Sequence, residues 1–292
     1  MSPTSVTLVL ASCLMHAGWN LLARAGRSEH QFVRRMLLVT AAAGLLPAAA
    51  CELSAHSLGA TAWACVAGSG FCCGAYYFCL VRAYGSSDFT IVYPVARSLP
   101  VLLVAIGDVV RGRSVTPGGW LGMVLVVAGC FLTPLESFRG VRLRCYVNKA
   151  TIWILLTSLG TVGYTLLDKV ASETVEQGPY TAARYGYVFF LIAYISYAGL
   201  AAVSGSREAD SREIGWTFPC LAAILNFGAY WLVLWAYQFS QHAGYVVAFR
   251  QFSVVIGVVS AFLVYKEPGI LVRVAGTLLI TFGLLLVGIW GG

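Results

Sequence analysis

Ten apolar runs, each close to twenty residues long, dominate this chain. They lie near 3–24, 31–53, 58–83, 87–107, 118–135, 149–169, 179–203, 215–238, 242–263 and 269–290. A helix needs ~20 residues to cross a bilayer core of ~30 Å. Inside hydrocarbon the backbone must satisfy its own hydrogen bonds, so only helices and closed barrels can span. Barrel strands are ~10 residues long and alternate in polarity. These runs are twice that length and apolar throughout. The expected fold is therefore an all-α polytopic membrane protein with ten transmembrane helices. The connectors are short, the longest being 136–148 and 205–214. Only 11% of residues are charged, against roughly 25% in a soluble protein. That shortage excludes a cytosolic enzyme, a disordered chain and a receptor with a large soluble domain.

The basic residues mark the two sides of the membrane. Number each connector by the run it follows. Odd connectors hold Arg24, Arg27, Arg34, Arg35, Arg82, Arg139, Arg142, Arg144, Lys149, Arg207, Arg212, Lys266 and Arg273. Even connectors hold only Arg111, Arg113 and Lys169, a split of 13 to 3. The positive-inside rule places the odd connectors in the cytoplasm and both termini outside, in the cytoplasmic (inner) cell membrane. The net charge of +7 is thus a topology signal. It is not the solvated basic face that nucleic acid would require. Cysteines such as Cys13, Cys72 and Cys130 sit within apolar runs, as small apolar residues do. The segment before Cys13 resembles a lipoprotein cleavage box, but it is too short and lacks a basic start.

The chain also repeats itself. Ala83, Tyr84 and Arg97 are answered by Ala236, Tyr237 and Arg250, at an offset of 153 residues. Ala75-Tyr76-Tyr77 is answered by Ala229-Tyr230-Trp231, Gly122 and Gly129 by Gly276 and Gly283, and Gly18 by Gly163. Each half holds five runs. Five is odd, so the second half enters the membrane the opposite way round. Two inverted five-helix repeats, 1–135 and 149–292 joined by a loop at 136–148, are the architecture of many alternating-access transporters.

Arg97 and Arg250 lie about ten and nine residues into their runs, which at ~1.5 Å per residue is near the midplane. A central arginine costs about 2.5–3.5 kcal/mol to insert, so both should face the bundle interior or a water-filled cavity. Their planar donor forks suit a carboxylate or phosphate. They are read either as a substrate site for an anionic or zwitterionic metabolite or as structural arginines bonded to carbonyls. Gln251, beside Arg250, joins the candidate set. Tyr93-Pro94 and Pro100 flank Arg97, so the fourth run is expected to break there and line a cavity. Tyr93 shares a face with Arg97. The ninth run lacks these prolines. His16, Trp19 and Asn20 form a polar-aromatic stripe on the first run, mirrored by Thr161, Tyr164 and Thr165 on the sixth. Such stripes either line a cavity or bond helix to helix.

No Asp or Glu falls at the middle of a run. Asp88, Asp108 and Asp168 lie near ends, and Asp168-Lys169 reads as an interfacial pair. That argues against a pump exchanging protons for bulky cations. There is no nucleophile–base set, no HExxH and no metal-ligand spacing, so neither an enzyme, a cofactor nor a metal is expected.

His16-Ala17-Gly18-Trp19-Asn20, Arg82-Ala83-Tyr84, Val92-Tyr93-Pro94-Val95-Ala96-Arg97, Tyr164-Thr165-Leu166-Leu167-Asp168-Lys169, Tyr245 to Arg250, and Lys266-Glu267 together resemble the EamA-type drug/metabolite transporter superfamily. The resemblance spans nearly the whole chain. It implies ten helices in two repeats and alternating access to a central cavity. Two features depart from the family pattern. Arg111-Gly112-Arg113 replaces the acidic residue that usually ends the fourth helix, and many relatives are drawn with both termini cytoplasmic. The expected function is a secondary transporter exporting a small anionic or zwitterionic metabolite. The alternatives are a flippase for a phosphorylated or amino-modified lipid carrier and a non-transporting scaffold subunit.

Overall fold

The computed structural model describes residues 1–26, 29–55, 58–86, 89–133, 135, 149–205, 215–260 and 270–291. The expected connecting loop at 136–148 lies outside them, as do Arg27, Asp88, Arg207, Arg212, Lys266 and Glu267. So do the side chains of Arg24, Tyr84, Tyr93, Pro94 and Lys149.

Every regular element among the described residues is a helix. They are α1 (Pro3–Gly26), α2 (Glu29–Ala55), α3 (Ala60–Ser86), α4 (Phe89–Val110), α5 (Pro117–Leu132), α6 (Lys149–Ser172), α7 (Pro179–Val203), α8 (Thr217–Tyr237), α9 (Ala243–Arg250), α10 (Phe252–Ser260) and α11 (Ile270–Trp290). Eight described stretches are long and apolar enough to cross a membrane, α9 and α10 together forming one of them. The apolar α5 is shorter, at 16 residues. Large apolar side chains stay exposed along these helices, among them Leu14, Leu121, Leu278 and Ile289. Apolar surface of this extent on helices of spanning length is what a lipid environment accommodates.

The helix pairing is symmetric between the halves. Equivalent segments pack together, α2 on α7, α4 on α9 and α5 on α11. Two further large contacts, α1 on α8 and α3 on α6, are exchanged when the halves are exchanged, whereas α3 packs more extensively on α7 than its counterpart α8 does on α2. Equivalent helices also run antiparallel. On α2 and α7, His30 meets Tyr197 while Glu52 meets Arg184. On α4 and α9, Arg97 meets Gln251 while Asp108 meets Gly244. On α5 and α11, a methyl added to Gly122 would lie 2.6 Å from the Gly283 carbonyl, and one on Gly129 would lie 2.6 Å from the Gly276 carbonyl. Gly122 repeats as Gly276 and Gly129 as Gly283, so each glycine touches its partner's repeat mate. That crossed pairing is what a two-fold relation between halves produces. It needs glycine, because backbone faces backbone there.

The even connectors close one end of the bundle. Ser2 Oγ donates to the Phe239 carbonyl at 3.1 Å, and Thr116 Oγ1 donates to the Trp290 carbonyl at 2.5 Å. Thr116 also caps α5, accepting from Gly119 N at 3.0 Å ahead of Pro117. Gly112 takes a left-handed φ of 79° after α4, a conformation that glycine adopts without penalty. This turn carries Arg111 and Arg113 back toward Glu173, at 2.7 and 3.6 Å. Lys169 reaches the same carboxylate at 3.1 Å. Burial alone would raise the Glu173 carboxyl. The Lys169 hydrogen bond and the surrounding positive charges outweigh it and hold the group below its usual range.

The expected break falls on the other helix. α4 runs without interruption from Phe89 to Val110 despite its prolines. Its proline-free counterpart is divided at Gln251 into α9 and α10. The cause is hydrogen bonding. The Arg250 carbonyl accepts from Arg97 Nη2 at 3.5 Å and Ser253 Oγ at 2.8 Å. Val254 N then turns to the Gln251 carbonyl at 2.8 Å, a tightened 3₁₀-type bond.

Candidate functional site

A cavity of about 40 Å³ lies between the halves, lined from α1 by His16 and Asn20, from α3 by Tyr76 and Leu80, and from α4 by Ala96 and Arg97. The second half contributes Thr161 and Tyr164 of α6, with Val247, Arg250 and Gln251 from the α9–α10 junction. Asn20 and Leu80 each stand six residues from the odd-connector end of their helix. On the opposite side Asp108 Oδ2 accepts from Gly244 N at 2.8 Å, fastening α4 to α9 below the cavity.

Of the sequence candidates, His16, Asn20, Arg97, Tyr164, Arg250 and Gln251 meet at this cavity. Trp19 does not line it. Trp19 is 5% exposed and donates from Nε1 to His16 Nδ1 at 3.0 Å. Thr165 is fully buried behind the wall. The side chain of Tyr93 lies outside the described residues. Tyr76, Leu80 and Val247 were missed. For Tyr76 a signal existed, since it occupies the repeat position of Tyr230.

Arg97 is fastened by its neighbours. Its Nε donates to Gln251 Oε1 at 3.3 Å and its Nη2 to Ser253 Oγ at 3.2 Å. Gln251 returns a bond from Nε2 to the Arg97 carbonyl at 3.2 Å. Arg97 Nη1 also meets His16 Nε2. Indole nitrogen only donates, so Trp19 makes His16 Nδ1 the acceptor. In a neutral ring Nε2 then carries the proton. With the two nitrogens already in contact, the guanidinium and the imidazole form one polar edge of the cavity, and an anionic group in the cavity would meet the Arg97 charge along that edge.

Arg250 is held differently. Its guanidinium carbon stands 5.5 Å over the Tyr230 ring, a cation–π arrangement. Tyr164 and Tyr237 also stand near it. Tyr164 packs edge-on against Tyr76 and Tyr230, with ring centroids 5.9 and 5.7 Å apart. The cavity thus has a cationic side and an aromatic side.

Asp168-Lys169 is not the interfacial pair expected from its place near a helix end. Both residues are buried, at 1% and 3% exposure, and they point apart. Lys169 Nζ donates to the Tyr237 carbonyl at 3.1 Å. Asp168 accepts from Tyr185 Oη at 2.8 Å, and also from Ser69 and Tyr230. A membrane carboxylate is therefore present. Sequence alone hid it because its three donors come from α3, α7 and α8. Arg184, unassigned in the sequence, pairs with Glu52 across α7 and α2. Among the described residues no cluster of His, Cys, Asp and Glu could hold a metal ion.

A solved structure titled "Crystal structure of protein" superposes on the whole chain and on 99% of its own length, with a TM-score of 0.72 at 13% identity. At that identity the likeness is one of fold. No curated protein matches the sequence. The model of the EamA-like transporter family matches twice, over residues 3–134 and 148–289. These matches cover both helical halves, and the chain is a multi-pass membrane protein of the EamA-like transporter family, within the drug/metabolite transporter superfamily.

Proposed function

We propose that this protein is a secondary transporter that carries a small anionic or zwitterionic metabolite across the cytoplasmic membrane, in the export direction, by alternating access. The observation that carries the reading is the convergence of Arg97, Arg250 and His16 Nε2 on one cavity between the repeats. Donors gathered at membrane depth are costly unless an anion or a carbonyl uses them. The tyrosine wall offers a surface for the rest of the substrate.

A volume of about 40 Å³ holds only a few waters. The helices must therefore part before a metabolite enters. In this reading the chain spans the membrane ten times, α9 and α10 counting as one span. The odd connectors face the cytoplasm and both termini face outward, as the basic residues dictate. The ion pairs of Glu173 then seal the outer face, and substrate enters from the cytoplasm.

The test is counterflow into proteoliposomes, using a panel of labelled carboxylic and amino acids, with wild type and Arg250→Ala side by side. The expected result is exchange of at least one acid by wild type and its loss in the variant. Exchange of no acid, together with movement of a labelled anionic lipid between leaflets, would sink the metabolite reading in favour of a flippase.

A further inference from the structure

Behind the cavity lies a second polar site that transport of an anion does not by itself require. The Asp168 carboxylate is 1% exposed. Its two oxygens are closed in by hydroxyls from three helices, Ser69 and Tyr185 on Oδ1 and Tyr230 on Oδ2. Among the described residues no lysine or arginine ion-pairs with it, and Lys169 turns away toward Glu173. A buried carboxylate matched only with neutral donors is stable either as the anion, accepting three bonds, or as the acid, since hydroxyls can rotate to accept. A salt-bridged carboxylate has no such freedom.

The site is also wired to the cavity. Tyr230 donates its hydroxyl to Asp168 and offers its ring face to Arg250 at 5.5 Å. An ionised Asp168 enriches the phenol ring and attracts the guanidinium, so Arg250 is held back against Tyr230. A proton on Asp168 removes both attractions and leaves the Arg250 charge for an anion in the cavity.

We propose that Asp168, with Ser69, Tyr185 and Tyr230, is a reversible proton-binding site whose occupancy is linked through Tyr230 to anion binding at Arg250. It rests on the transport reading above and sharpens it. Proton and anion strengthen each other's binding, as linkage requires, so one proton travels with each anion carried. The groups facing Asp168 are Cys65, Cys72 and Cys73 from α3, Tyr185 from α7, and Tyr230 and Tyr237 from α8. Arg250 from α9 is the one cation among those facing it. The carboxylate sits four residues from the end of α6, about 6 Å along the axis, which gives protons a short route once the Glu173 end opens.

The experiment is infrared difference spectroscopy of the purified full-length protein during a pH titration, without substrate. Wild type should show the C=O band of a protonated carboxyl that is missing in Asp168→Asn. In Arg250→Ala the titration midpoint should move to higher pH by about one unit, a tenfold gain in proton affinity, because the carboxylate loses the positive charge of Arg250. Absence of any band sensitive to Asp168→Asn, or a midpoint unchanged in Arg250→Ala, would overturn the proposal. Should Asp168→Asn not fold, Tyr185→Phe and Tyr230→Phe replace it. Each removes one donor from the carboxylate, so the midpoint should rise in both, and a titration unmoved in both overturns the site. The reading needs no transported substrate. A failure of the transport assay and a failure of the proton site are therefore told apart.

Discussion

Arg97 and Arg250 occupy the same position in the two halves, yet they are held in opposite ways. Arg97 donates to Gln251, Ser253 and the Arg250 carbonyl, so it works as a strut between α4 and the α9–α10 junction. Arg250 stands over a tyrosine ring beside a second tyrosine. The asymmetry reaches the backbone. The prolines lie in α4, but the interruption lies in its counterpart, because Ser253 and Arg97 together occupy the carbonyl that would have continued the helix. A duplicated residue has thus been divided into a fastening on one side and a movable charge on the other. Inverted repeats make this possible, because antiparallel packing brings the two copies onto one cavity.

The largest effect expected from breaking this comparison is on transport. Arg250→Ala should lower counterflow of the best-carried acid by about 100-fold, the worth of a strong charge-assisted contact. The melting temperature in detergent should stay within error of wild type. Arg97→Ala should also lose transport, but with a loss of stability of about 1–3 kcal/mol, read as a drop in melting temperature, because several buried bonds go with it. Equal melting temperatures in the two variants would erase the proposed division of labour. Gln251→Leu sharpens it further. It removes the Gln251 amide bond to the Arg97 carbonyl and the Gln251 oxygen that Arg97 Nε donates to. A stability loss of about 1–2 kcal/mol and a partial transport defect should follow.

The smallest effect is expected at the Glu173 end, far from either arginine. The Glu173 carboxyl is held below its usual value of 4.5. Its contribution is therefore present above the unfolded-state value and is lost as pH falls through the lower folded-state value. Acid should loosen this end, and Glu173→Gln should remove that pH dependence. At 31% side-chain exposure, the change in stability should stay under about 1 kcal/mol.

The helices were legible because the bilayer imposes their length. Where their residues are described, the expected runs fall on helix, the ninth on two helices divided at Gln251. Arg97, Arg250, His16, Asn20 and Tyr164 were legible as cavity residues because polar groups stand out in apolar helices. Trp19 stands out equally but serves His16 from behind, and spacing on one helix face cannot separate lining from support. The break was assigned to the helix with prolines, a local rule. The Arg250 carbonyl is instead taken by Ser253, three residues on, together with Arg97 from the other half, and the second of these no local pattern encodes. Asp168 was set aside for its position near the end of α6. Its burial depends on Ser69, Tyr185 and Tyr230, residues that are distant in sequence and individually unremarkable.

The most direct test of the account asks whether Arg250 reads a negative charge. Wild type and Arg250→Ala are compared in proteoliposomes for counterflow of the best-carried acid and of its uncharged amide. The account predicts that wild type prefers the acid by about 100-fold and that Arg250→Ala, still folded, carries neither in preference. Equal transport of acid and amide by wild type, or an undiminished preference for the acid in the variant, would contradict it.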